Sequence, residues 1–90
     1  MAQTTGEAIA AVEALSDLVA TARYHAELAH AAERPGWAQN WDTLAVHLDA
    51  VRTTLIQEGD GYLDIAWAFV DSGRLTIARH ISRARRTPAR

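Results

Sequence analysis

Apolar residues recur at three- and four-residue spacing along most of the chain, and the recurrence breaks at few places. Pro35-Gly36 and Gly59-Asp60-Gly61 are strong breaks and Ser72-Gly73 a weaker one. That spacing is the helical period, so the pattern predicts three helices over about residues 5–34, 38–58 and 61–86. In the first, Thr4 and Glu7 stand at the spacing of a capping box. The stripe Ala8, Ala11, Val12, Leu15, Leu18, Val19, Ala22, Ala26, Ala29 marks one face, and Glu13, Asp17, Glu27 and Arg34 mark the other. Its second half is mostly alanine, which leaves room for bulky residues opposite.

Pro35 disfavours helix for the residue before it and Gly36 turns freely, so the first helix is expected to stop there. Asn40 suits the N-cap of the second. Its stripe Trp37, Trp41, Leu44, Leu48, Val51, Leu55 follows the 4-3-4-3-4 spacing of coiled-coil contact positions. This predicts a long antiparallel hairpin with Trp37 and Trp41 against the alanine-rich end of the first helix, in a register that brings His25 level with His47.

Gly59 is placed to end the second helix and Asp60 to cap the third. Tyr62–Val70 is apolar nearly all round, interrupted by Asp64. A helix apolar on every side is buried on every side, which three helices in one chain of this size have little room to do. One side is expected to pack on the hairpin and the other on a second copy, the contact residues being Tyr62, Ile65, Trp67, Phe69 and, near the hairpin tip, Trp37. The stripe Leu63, Ala66, Val70, Gly73, Ile77, Ile81, Ala84 keeps helical phase through Gly73. That favours one continuous helix to about Arg86; the competing reading breaks it at residues 72–73 into two short ones. Residues 87–90 are expected to fray. The expected fold is all-α: a single domain over residues 1–86, built as a long antiparallel helical hairpin plus a third helix and completed as a helical-bundle homodimer.

Composition narrows the chemistry. The chain has 90 residues, no cysteine and no lysine, all nine basic residues being arginine. This excludes disulfides, thiolate nucleophiles, cysteine zinc sites, Schiff-base catalysis and a lysine-ended phosphate loop. The longest uncharged apolar run, Ile65–Val70, is six residues, against about 20 for a membrane span. With no basic stretch ahead of an apolar one at Met1–Thr5, a cytoplasmic location is expected.

Net charge is −2 but unevenly placed. Residues 1–71 hold all 11 acids and three arginines, a net of −8; residues 72–90 hold six arginines and no acid, a net of +6. Such asymmetry points to an interacting segment. Arg74, Arg79, Arg83, Arg85 and Arg86 are the candidate contacts, with Arg79, Arg83 and Arg86 on one helix face. They suit an acidic protein partner or nucleic-acid phosphates; they also complement the helix dipole and offset the acidic remainder. The Ser72-Gly73 break would serve as the turn of a helix-turn-helix, but the unbroken apolar phase and the lack of an aromatic or amide-rich reading face stand against it.

Two further groupings have competing readings. Glu27 and His30 have the Glu-x-x-His spacing of carboxylate-bridged di-iron bundles, and His25 and His47 would stand nearby. The chain holds one such motif, and the plainer reading leaves His25 and His47 at the core border and His30 in water, with no metal or cofactor. Ser16, Ser72 and Ser82 lie in no nucleophile-elbow motif. Trp37, Trp41 and Tyr24 could form a binding patch, although core packing is the expected fate of Trp41. No family pattern is recognised: Gly36-Trp37-Ala38-Gln39-Asn40-Trp41 lacks the Trp-x-Gly turn of small secreted hairpins, and the first helix lacks the lysine-containing pattern of helical chorismate mutases. The expected function is a non-enzymatic interaction module that self-associates, with no small-molecule substrate, and contacts an acidic partner through its arginine-rich C-terminal helix. The alternatives are a nucleic-acid-binding regulator and a metal-binding bundle.

Overall fold

The computed structural model describes residues 6–86 and is all-α. Helix α1 spans Gly6–Ala31, α2 Pro35–Glu58 and α3 Leu63–Arg86, with a 3-10 turn at Gly59–Tyr62 between the last two. Thr4 of the expected capping box and the expected frayed tail at residues 87–90 lie outside the described residues.

The first turn differs from expectation in its mechanism. α1 stops at Ala31, short of Pro35. The Arg34 N–H donates to the Ala29 carbonyl and the Glu33 N–H to the His30 carbonyl, the paired bonds of a Schellman ending. The left-handed residue that this ending requires is Glu33, at φ 57°, and not Gly36. Pro35 does not stop α1; it opens α2 at the first position, where a missing N–H costs nothing. Asn40 is therefore inside α2 and Arg34 holds the N-cap position. At the second turn Gly59 adopts φ 67° and ψ −144°, and its N–H closes on the Leu55 carbonyl. That backbone region is open almost only to glycine.

Contacts between helices fix their directions. His30 meets Asp42 at 3.3 Å, the His25 and Trp41 rings stack at 4.5 Å, and Arg52 donates to Ser16 Oγ at 3.3 Å. Residue numbers rise along α1 as they fall along α2, so the two run antiparallel. α3 returns along α2: Gly73 lies against Leu48, and His80 against Trp41. Gly73 also lies against Leu18 of α1. The result is an elongated molecule of 53 × 18 × 15 Å.

The core is lean in large side chains: among the described residues, eight of the sixteen buried apolar ones are alanine. Leu15, Leu55 and Val70 are the largest that are fully enclosed. In α2 the buried set is Ala38, Trp41, Ala45, Leu48, Val51 and Leu55, while Trp37 and Leu44 are half-buried. The expected stripe was thus turned slightly. Arg52 reaches Ser16, and Ala45 and Ala38 lie seven and fourteen residues before it, so this side of α2 faces α1. α3 is unbroken through Ser72 and Gly73; no turn there separates two short helices.

Candidate functional site

α3 buries Ala66, Val70, Gly73 and Ile77. At 100° per residue the opposite side carries Ile65, Ala68, Ser72, Leu75, Arg79 and Arg86, all exposed. Phe69 stands beside this stripe, toward α2. Ile65 is 48% and Phe69 42% exposed, and Leu75 is 52%. Tyr62–Val70 is therefore not enclosed on all sides.

The five expected contact residues do not share a face. Ile65 and Phe69 are open, but Tyr62 and Trp67 are half-buried against the core. Trp67 lies two residues from each of them, so helical geometry turns it toward the other flank. Trp37 is half-buried at the α1–α2 turn, its ring edge-on to His80 at 5.8 Å. Tyr24 is exposed, with His25 at 5.5 Å.

The arginines fall at the end where α1 turns into α2. Arg79, Arg83 and Arg86 border one shallow depression with Ser82, as their spacing implied. Arg86 donates to Ser82 Oγ at 2.9 Å, and Arg74 approaches Asp71 at 4.0 Å. Arg85 is exposed. The opposite end holds Glu7, Glu13, Glu58, Asp60 and Asp64. Glu27, Glu33 and Asp42 share the arginine end with Arg34 and the α3 arginines, so the long axis carries a net charge difference, acidic at one end and moderately basic at the other, smaller than the split in the sequence.

Between α2 and α3 runs an open groove of ≈ 590 Å³. Phe69 and Leu48 line it toward one end, Thr43, His47 and Thr76 along its length, and His80 and Arg83 toward the arginine end. Among the described residues, no Asp or Glu lines it. His80 is edge-on to Trp41 at 5.1 Å, and its Nδ1 is buried without a hydrogen-bond partner. Burial, and then the charge of Arg83, lower its pKa below the ordinary histidine value.

The possible metal donors are not brought together. His25 is stacked on Trp41, Glu27 is exposed, His30 bonds Asp42, and His47 lines the α2–α3 groove. Among the described residues no group of three or more His, Asp or Glu could hold a metal ion. The register that paired His25 with His47 is replaced by one that puts an indole against His25.

Two participants were not anticipated. Leu75 could have been found from its spacing to Ile65, Ala68 and Ser72. His80 could not, because its place between two tryptophans depends on where α3 returns. No helix is long and apolar enough to cross a membrane among the described residues. Compared with protein-family models, curated proteins and solved structures, the chain matches none.

Proposed function

We propose that the chain is a non-enzymatic helical interaction module that self-associates through the outward side of α3 and holds an acidic partner with that helix's arginines. The carrying observation is one line of exposed residues on α3 that begins apolar, with Ile65 and Leu75 and with Phe69 at its edge, and ends basic, with Arg79 and Arg86. Covering the apolar part gains about 25 cal/mol per Å² before the costs of association. The arginines add selectivity and register rather than most of the affinity.

Light scattering at low salt is expected to give a dimer for the natural chain. Phe69→Asp and Leu75→Asp are expected to give monomers with unchanged helicity, since both side chains already face water. A natural chain that stays monomeric across the accessible concentration range overturns the reading.

A second reading rests on the cluster of Arg79, Arg83 and Arg86 around a single depression, which would suit phosphates of nucleic acid. It is opposed by the acidic far end, since nucleic-acid-binding domains generally read basic overall. Absorbance at 260 nm across the same scattering peak separates the two.

A further inference from the structure

The outward side of α3 carries two interleaved seven-residue series: Ile65, Ser72, Arg79, Arg86, and Ala68, Leu75, Ser82. Together they make a second contact stripe of coiled-coil spacing, distinct from the one that faces the core. All of it is exposed except Ser82, which is half-buried. The small residues Ala68 and Ser72 at its middle allow a second helix close approach. Asp64, Asp71, Ala78 and Arg85 run along one flank, and Phe69, Thr76 and Arg83 along the other.

Resting on the self-association just proposed, we infer that the partner on this stripe is α3 of a second copy running antiparallel, so that the acidic partner of the arginines is the acidic end of the same protein. Charge decides the direction. A parallel pair would stack Arg79 on Arg79 and Arg86 on Arg86, and would bring the two acidic ends together. An antiparallel pair has two-fold symmetry and places each end against its opposite. The direction also brings like flanks together. With the two helices fully overlapped, facing residues have numbers that sum to about 147–149. Ser72 then meets Leu75 of the second copy, the stem of Arg79 covers Ala68, and Asp64 meets Arg85. Slipping the pair by one heptad in the direction that moves the N-terminal halves together would set Asp71 against Asp71, which disfavours that register.

The pair Asp64 and Arg85 provides the test. Both are exposed and stand about 32 Å apart along one helix, so they cannot compensate each other within a chain. Sedimentation equilibrium at low salt would compare the natural chain, Asp64→Arg, Arg85→Asp and the double exchange, with circular dichroism as the check on folding. Each single reversal is expected to weaken dimerisation about tenfold, and the double exchange to restore it within about twofold. A dimer that both singles leave unchanged, or that the double exchange fails to restore, overturns the antiparallel pairing while leaving self-association in place. A natural chain that never dimerises overturns both.

Discussion

Glu33 is the residue whose conformation and identity disagree most plainly. It holds φ 57° to close the Schellman ending of α1, a conformation that costs a side-chain-bearing residue about 1–2 kcal/mol. Glu33→Gly is therefore expected to stabilise the fold by about 0.5–1 kcal/mol after the added freedom of the unfolded chain, raising the melting temperature by roughly 3–6 °C. A calorimetric scan with no rise would mean that the carboxylate has contacts worth the strain. The sequence pointed to Gly36 because glycine is the usual left-handed residue; nothing local to residues 31–36 reveals that the chain turns three residues earlier. His80 is a second case in which environment and chemistry diverge. Its pKa is lowered by burial and by Arg83, so the unfolded chain takes up a proton more readily than the folded one. Its contribution to stability is complete above the ordinary histidine value and is lost as pH falls through the folded value. Melting curves between pH 7.5 and 5 should show a steeper acid-side loss for the natural chain than for His80→Gln, which carries no ionisable ring. Equal slopes would show that the ring protonates freely in place.

At the scale of the element, α3 works through a glycine at the point where three helices meet. A methyl group on Gly73 would come 3.1 Å from Leu48 Cδ2 and 3.3 Å from Leu18 Cδ1. Glycine lowers helix propensity by about 1 kcal/mol relative to alanine, so its presence here reflects the close approach. Gly73→Val should destabilise the fold by about 1–3 kcal/mol through overpacking, measured by urea denaturation. A neutral result would mean that Leu18 and Leu48 have free rotamers to retreat into. Periodicity carried the existence of each helix well, because apolar recurrence and burial have the same cause. It carried the rotation of α2 less well. A stripe of large residues drew the expected face through Trp37 and Leu44, whereas close packing against α1 is made by Ala38 and Ala45. Alanine is weak as a pattern signal and strong as a spacer, so small-residue interfaces are underweighted in a reading based on bulk. The tail arginines were legible as a face from spacing alone, and so was the separation of Trp67 from Phe69, two residues apart on a helix; which of the two faces outward needed the direction of the core.

For the molecule as a whole, the net of −2 says little and the placement of charge says much. The basic part of the split at residue 71 gathers at one end because α3 finishes there, whereas the acids of α1 and α2 are spread along the length, with Glu27, Glu33 and Asp42 near the arginines. Had the third helix crossed the other two at a steep angle, the same split would have produced two patches side by side instead of two poles. Pairing of histidines could not be read at this scale, since a shift of a few residues between α1 and α2 replaces His47 with Trp41 opposite His25. The connections themselves have a further consequence. Three residues join α1 to α2, and a four-residue 3-10 turn joins α2 to α3. Each helix therefore meets its neighbour after closing a very small loop, which keeps the entropy of the search low. Helical chains dominated by such sequence-local encounters fold in microseconds to milliseconds. An unfolded excursion of this protein would thus be brief, leaving little time for its exposed apolar segments to find those of another chain.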